Sequence, residues 1–102
     1  WLTGEELKQT MSGATALDRE VYGWPATYIY HPDGTMSGTR GFANEDRDKG
    51  RWWVEGDRWY RKWSRWVYGE TKGYFIVIDG DKLKFFNDDK QIVDSMYIRL
   101  SD

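Results

Sequence analysis

The sequence predicts a single, mainly β domain over residues 1–102: a small antiparallel barrel of about eight strands with one short N-terminal helix. Turn-forming residues recur about every ten residues after Gly13. The runs between these turns are rich in aromatic, β-branched and threonine residues, which favour strands. The N-terminal residues instead carry a helix start signal. About eight short antiparallel strands can close into a barrel and leave no edge exposed.

The helix is predicted over about residues 4–11. Thr3 can cap its first turn, and Glu6 completes a capping box three residues later. Three apolar side chains are expected to pack this helix against the barrel, two of them one turn apart on one helix face. They are Leu2, Leu7 and Met11.

The meander is predicted over about residues 14–100, with each strand placed between two turn signals. Strands are expected near residues 14–22, 26–31, 35–42, 50–55, 58–66, 72–79, 82–87 and 91–100. Pro32-Asp33-Gly34 and Asp79-Gly80-Asp81 are the clearest hairpin turns. Residues 46–50 are predicted to form a further turn.

Alternation along the strands predicts which side chains share one face of the sheet. The sets expected to do so are Tyr28 with Tyr30, Leu83 with Phe85, and Ile92, Met96, Ile98 and Leu100 around Asp94. The run from Tyr74 to Ile78 is apolar on both faces. We therefore expect this strand to be covered on both sides, with the helix as the candidate for its outer cover.

The centre of the chain is residues 50–66, GRWWVEGDRWYRKWSRW, which hold five of the seven tryptophans. Glu55-Gly56-Asp57 predicts a hairpin turn within this stretch. Trp59, Trp63 and Trp66 also have the spacing of a basic amphipathic helix. The short turn before them and the density of Trp and Tyr favour the strand interpretation.

A resemblance to a known group of proteins extends over most of the chain. It is carried by Leu2-Thr3…Glu6-Leu7, Ser12-Gly13-Ala14-Thr15, Tyr30-His31-Pro32-Asp33-Gly34-Thr35, Gly50-Arg51-Trp52 and Trp59…Trp63. These motifs resemble small exported proteobacterial domains of lipocalin-like (calycin-type) β-barrel character. The resemblance implies a lipocalin-like barrel and export, and barrels of similar build bind small ligands or inhibit secreted enzymes. Those relatives often carry a cysteine pair after the central hairpin, whereas this chain has no cysteine.

Composition and charge narrow the function classes. The absence of cysteine excludes disulfides and thiol catalysis. The longest apolar run, Tyr74 to Ile78, is far shorter than the ~20 residues of a membrane helix. Residues 51–66 carry five positive and two negative charges, a net of +3 that would suit single-stranded nucleic acid. The chain as a whole has a net charge of −2, so the remainder carries −5, and this argues against a nucleic-acid partner.

Catalysis and metal binding have little support. The only histidine, His31, has no recognisable nucleophile or orienting group near it in the sequence. The acidic stretches Asn44 to Asp48 and Asn87 to Asp89 do not match a calcium-binding loop and are predicted to be solvated turns. Zinc would require more His or Cys residues than are present. We expect no enzyme activity and no cofactor.

The candidate ligand site is one mouth of the barrel. Trp52, Trp59 and Trp63 are expected to line it, with Arg61 as its polar anchor. If Arg61 points inward, it must be paired. Two interpretations stay open: an ion pair with Asp94 or Glu70 in the core, or an anionic ligand bound by the guanidinium group.

These observations predict a non-enzymatic binding or inhibitory module, exported to a periplasm or envelope. Its expected partner is a small-molecule ligand or a secreted protein. One alternative is an aromatic, basic surface that binds a polysaccharide or single-stranded nucleic acid, and another is a structural domain of an envelope assembly. The chain begins at Trp1 rather than Met, so we expect either a processed protein, for example one whose signal peptide has been removed, or a shortened piece of the natural chain.

Overall fold

A computed structural model describes residues 1–18 and 25–99. Its helix α1 spans Gly4–Met11, and its strands are β1 (Thr15–Asp18), β2 (Ala26–Tyr30), β3 (Thr35–Arg40), β4 (Asp46–Glu55), β5 (Arg58–Trp63), β6 (Thr71–Asp79), β7 (Lys82–Phe86) and β8 (Ile92–Arg99). Each strand pairs antiparallel with the next, and β8 pairs with β1 to close an eight-stranded barrel. The predicted fold class is confirmed. The parts of predicted strands that fall at residues 19–22 and 100 lie outside the described residues.

The predicted capping box begins α1. The Glu6 amide donates to the Thr3 hydroxyl oxygen at 3.3 Å, and the Thr3 amide donates to the Glu6 carboxylate at 3.0 Å. This backbone hydrogen bond from Thr3 lowers the pKa of Glu6. Leu7 and Met11 are completely buried, and Leu2 is partly buried against the same core.

Helix α1 closes one end of the barrel, which we call the closed end. At its start the Gly4 amide donates to the Asp57 carboxylate in the β4–β5 turn at 2.8 Å. Just after the helix, the Gly13 amide donates to the Tyr30 carbonyl at the end of β2 at 2.7 Å. The opposite end, bounded by residues 41–45, 64–70 and 87–91, is the mouth.

Strand β6 is covered on both faces, as its apolar run predicts, but the outer cover differs from the expectation. Ile76 is completely buried inside the barrel. On the outer face, the Trp1 ring lies 5.5 Å from the Phe75 ring. The Leu2 amide donates to the Ile76 carbonyl at 2.9 Å, which holds the segment before the helix on this strand. The outer cover is therefore Trp1 rather than the helix.

Residues 46–50, predicted as a turn, lie in β4 instead. They pair with β3, from Arg40 opposite Asp46 to Met36 opposite Gly50. Aspartate is uncommon in strands, but here the Asp48 carboxylate accepts two backbone N–H bonds from the loop after β5. A distant segment thus satisfies a side chain that would otherwise favour a turn.

The central hairpin is confirmed, and the amphipathic-helix alternative is wrong. Val54 and Trp59 are opposite each other across the hairpin, and Trp59 also pairs with Tyr74 on β6. The second strand ends at Trp63 rather than at Trp66. Trp66 begins a 3₁₀ turn, Trp66–Gly69, that turns the chain toward β6.

A β-bulge changes the face assignment in β8. Phe85 is opposite Asp94, whereas the next residue, Phe86, is opposite Ile92, so Val93 is an extra residue in β8. The extra residue rotates Ile92 out of the inward set, and Ile92 is 54% exposed. Beyond the bulge, Met96 and Ile98 pack against the core as predicted.

Candidate functional site

The four residues of the predicted ligand site all lie on the central hairpin, and three of them meet in the barrel interior. Trp59, Arg61 and Trp63 line one interior cavity toward the mouth. Trp52 is also buried, but it lies nearer the closed end, where its indole N–H donates to the His31 carbonyl at 2.9 Å. Trp52 therefore makes a structural hydrogen bond and is not part of the cavity lining.

The interior cavity has a volume of about 50 Å³. Pockets for drug-sized ligands have volumes of about 300–1,000 Å³. An eight-stranded barrel is narrow enough to be filled by its own side chains. Here buried aromatic residues fill it, notably Tyr28, Tyr30, Trp59, Trp63 and Phe85. The remaining space suits a small ion or a few water molecules.

Arg61 reaches into this cavity, but its partner differs from both predicted carboxylates. Its Nη2 donates to the Tyr74 hydroxyl at 3.1 Å. Glu70 forms an ion pair with Lys72 instead, at 3.2 Å. Asp94 lines the same cavity, yet no ion pair joins it to Arg61 among the residues described.

Two buried donors of the cavity lining lack an acceptor in the part of the protein that the structure describes. Within residues 1–18 and 25–99, no hydrogen-bond partner is found for the indole N–H of Trp59 or for Nη1 of Arg61. Trp59 is only 1% exposed. Buried donors are normally paired with protein or with water, so this part of the interior is suited to an acceptor.

Asp94 is the titratable carboxyl of the cavity. Burial raises its pKa to about 6, and the negative charge of Asp18 contributes in the same direction. The positive charges of Arg61 and Arg40 oppose this increase. Burial also raises the pKa of Tyr28.

Part of the mouth is covered by a stack that the sequence did not reveal. The Arg40 guanidinium lies 4.0 Å from the centre of a Trp66 ring and donates to the Tyr28 hydroxyl at 3.1 Å. The Trp66 indole N–H donates to Asp46 at 3.0 Å. The alternation of side chains along β3 places Arg40 on the inward face with Met36. The sequence therefore contained a signal for the inward position of Arg40.

A second candidate site lies on the outer face of the barrel, over β3, β4 and the end of β5. We call it the basic groove, and its volume is about 580 Å³. Its lining includes three cations and three hydroxyl groups. They belong to Lys49, Arg51 and Lys62, and to Thr35, Ser37 and Ser64. None of the described residues that line the groove is acidic.

The three cations of the groove make no ion pair with any described carboxylate. Other cations of the chain do so, among them Arg58 with Asp88 at 2.8 Å. Arg51 is directly opposite Lys62 across the β4–β5 pair. Like charges in this position destabilise a sheet, so the arrangement favours an anion beside them.

A flat aromatic pair adjoins the groove. Trp53 is opposite Tyr60 across β4 and β5, and both lie two residues from the Arg51–Lys62 pair on the same outer face. Their ring planes are within 8° of parallel, with centroids 5.8 Å apart. We call these two residues the aromatic pair. Trp53 and Tyr60 each alternate with an inward-facing tryptophan along their strands. The sequence therefore contained a signal for their outward position.

The only histidine, His31, lies beside Ser37 on the neighbouring strand. Its Nε2 lies 3.5 Å from the Ser37 hydroxyl oxygen, which is longer than the ~2.6–3.2 Å expected between a base and a nucleophile. The nearby Asp33 carboxylate accepts from the Thr35 amide and hydroxyl group instead. The described residues contain no group of three or more His, Cys, Asp or Glu side chains that could hold a metal ion.

Comparisons with known protein families, curated protein sequences and solved structures found no significant match. The fold and the two sites therefore define the class: a small closed β-barrel with an almost filled interior and a basic groove on its outer face. In the described part of the chain, no helix has the length and apolar character needed to cross a membrane.

Proposed function

We propose that this protein is a non-catalytic binding module whose basic groove binds an acidic oligosaccharide. One observation carries the proposal: three cations without carboxylate partners line a groove that adjoins a flat aromatic pair. The interior site predicted from the sequence is not assigned this function, because a cavity of about 50 Å³ is too small for a sugar or a metabolite.

The charges of the groove supply the affinity for acidic groups. Lys49, Arg51 and Lys62 surround an open surface without an acidic lining residue. A carboxylate, sulfate or phosphate group placed between Arg51 and Lys62 relieves their mutual repulsion and gains charge-assisted hydrogen bonds. The Lys62 amine also donates to the Gly69 carbonyl in the turn after β5, and it has further hydrogens for an acidic group.

The neutral parts of the groove are suited to a sugar. The hydroxyl groups of Thr35, Ser37 and Ser64 can each donate to or accept from a sugar hydroxyl group. The aromatic pair presents a negative π face to the C–H groups of a pyranose ring. A sugar ring on Trp53 and Tyr60 thus lies next to the cations that bind its acidic substituents.

The net charge favours an oligosaccharide over single-stranded nucleic acid. The chain carries −2 overall, and outside residues 51–66 it carries −5. A nucleic acid has a phosphate at every nucleotide and would be repelled beyond the groove. An oligosaccharide with fewer or spaced acidic groups avoids this repulsion. Export and a lipocalin-like character remain part of the proposal, on the strength of the resemblance described above.

Isothermal titration calorimetry tests the proposal with an acidic hexasaccharide in which galacturonic acid alternates with a neutral sugar. Binding is expected to weaken as salt is added, because exposed charges carry it. Arg51→Ala should weaken binding roughly tenfold or more through loss of a charge-assisted contact. Lys82→Ala, on the outer face of β7, is the matched control and should bind as the unaltered protein does.

Three outcomes would overturn the proposal. The first is no heat of binding, and the second is an equal loss in the Arg51 and Lys82 variants. The third is tighter binding of a single-stranded oligonucleotide with the same number of charges, which would assign the groove to nucleic acid. A neutral hexasaccharide completes the series and should bind more weakly than the acidic one.

A further inference from the structure

We propose that the interior cavity is a second binding site, which holds one small monovalent anion such as a halide between Trp59 and Arg61. The site is separate from the basic groove, since it lies inside the barrel toward the mouth. This anion site contains Trp59 and Arg61, two residues of the ligand site predicted from the sequence. Its ligand is an ion, whereas the prediction was a small-molecule metabolite.

The donors define the site. The indole N–H of Trp59 and Nη1 of Arg61 are both buried, and no protein acceptor is found for either among the described residues. The Tyr74 hydroxyl accepts from Arg61 Nη2 and keeps its own hydrogen for donation. The three residues that carry these donors lie on adjacent strands and line the same small cavity.

The size of the cavity selects the ligand. A water molecule has a share of about 30 Å³ in the liquid, and the cavity volume is about 50 Å³. A monatomic anion fits this space, whereas an organic metabolite does not. Arg61 and Arg40 are only half-buried, so the cavity is not sealed from the solvent at the mouth.

The charges around the cavity couple anion binding to pH. Two cations, one carboxyl group and three tyrosines line it, and all come from the strand walls of the barrel. They are Arg40, Arg61 and Asp94, with Tyr28, Tyr30 and Tyr74. A further carboxyl group, that of Asp18 on β1, acts on Asp94 through its charge. Ionised Asp94 offsets part of the positive charge of the two arginines. Burial raises the pKa of Asp94 to about 6, and its protonation removes this offset. Anion affinity should therefore rise as the pH falls from 7.5 to 5.

NMR spectroscopy of the full chain tests this site through the indole N–H signals. Sodium bromide replaces sodium gluconate at constant ionic strength, because gluconate is too large for the cavity. The Trp59 indole signal should shift with saturation, and more strongly at pH 5 than at pH 7.5. The Trp66 indole is an internal control because it already donates to Asp46, so its signal should not follow the same curve.

Arg61→Lys keeps the charge but removes the guanidinium donor, and it should weaken bromide binding about tenfold in the Trp59 indole signal. Trp59→Phe removes the other donor and keeps a ring in the core. Its bromide binding, followed through the backbone amide signal of Arg61, should weaken by a similar factor. If the Trp59 signal of the unaltered protein does not saturate, or shifts in parallel with that of Trp66, the cavity contains water only and the proposal is wrong. This result does not depend on whether the basic groove binds an oligosaccharide.

Discussion

The ring of Tyr60 on β5 lies directly over Gly73 on β6. A Cβ atom at residue 73 would be 2.7 Å from Cδ1 of Tyr60, and closer still to Cε1. Only glycine at this position lets the ring lie flat across the neighbouring strand, where its plane is within 8° of that of Trp53. The flat shape of the aromatic pair therefore depends on a residue of a third strand.

Gly73→Ala should displace the Tyr60 ring and separate the aromatic pair. We expect the free energy of unfolding to fall by about 1 kcal/mol, because the new methyl group overpacks against the ring. Urea denaturation measures this change. Affinity for the acidic hexasaccharide should fall at the same time.

The control for this prediction is the same substitution in a Tyr60→Ala background. Without the ring there is no clash, and the alanine should stabilise the strand by about 0.5 kcal/mol by restricting the unfolded chain. A similar loss of stability in both backgrounds would show that the Tyr60–Gly73 contact is not the cause.

Thr3→Ala should lower the free energy of unfolding by about 1 kcal/mol through loss of the α1 cap. Thr3→Ser is the matched control, since its hydroxyl group can still accept from the Glu6 amide. Urea denaturation distinguishes the two variants. Equal stability of the alanine variant and the unaltered protein would mean that the capping box does not hold the helix on the closed end.

Asp94→Asn should stabilise the protein at pH 7 and change its pH dependence. The folded pKa of Asp94, about 6, is above the unfolded value, so the folded state retains the proton longer than the unfolded state. Asp94 therefore makes stability fall as the pH rises from about 4 to about 6. A neutral amide removes this loss, and we expect a gain on the order of 1–2 kcal/mol at pH 7.

Urea unfolding at several pH values between 4 and 7.5 checks the Asp94 prediction. The exposed Asp81, in the β6–β7 turn, serves as the control through Asp81→Asn. If the two variants show the same pH profile, the carboxyl of Asp94 is not held in the protonated form by the fold.

Asp48→Ala should release the loop that covers the mouth. The carboxylate accepts from the Arg65 amide at 2.8 Å and from the Trp66 amide at 2.9 Å. Burial alone would raise its pKa, but these backbone hydrogen bonds outweigh it and the pKa is lowered. Stability from this group is thus present above pH ~4 and lost as the pH falls through the lowered pKa.

The expected loss in Asp48→Ala is about 2 kcal/mol, from two hydrogen bonds to a charged group. Amide hydrogen exchange should accelerate at Arg65 and Trp66 more than in β6. Asp89→Ala, in the exposed β7–β8 turn, is the control. Unchanged exchange at both loop amides would contradict the role given to Asp48.

The barrel and its helix could be predicted from the sequence because their signals are local. The capping box at Thr3 and Glu6 is contained within four residues, and turn residues mark most hairpins. Strand parity also placed Trp59 and Arg61 in the interior. These features depend on residues that are close together in the sequence, so they can be predicted without knowledge of tertiary contacts.

The start of β4 could not be predicted, because distant contacts decide it. Asp46 and Asp48 favour a turn by composition, yet residues 65 and 66 supply the donors that satisfy them in a strand. The bulge at Val93 is similar, since only the pairing with β7 reveals it. The basic groove could not be predicted for the same reason. Lys49 had no assigned face while its segment was predicted as a turn.

The size of the interior cavity also lies beyond sequence reasoning. The aromatic composition is compatible with both a filled and a hollow barrel, and only side-chain packing separates them. The partner of Arg61 was missed for the same reason. A tyrosine hydroxyl on the neighbouring strand satisfies part of the guanidinium group, where the sequence suggested a carboxylate.

The most direct test of the central claim is an NMR map of the binding site for the acidic hexasaccharide. We predict that amide signals of Ser37, Lys49, Arg51 and Lys62 shift on titration, together with the Trp53 indole signal. Signals of the closed end, such as those of Leu7 and Met11, should stay in place. Shifts confined to the mouth or to the closed end, or no shift at saturating probe, would contradict the assignment of function to the basic groove.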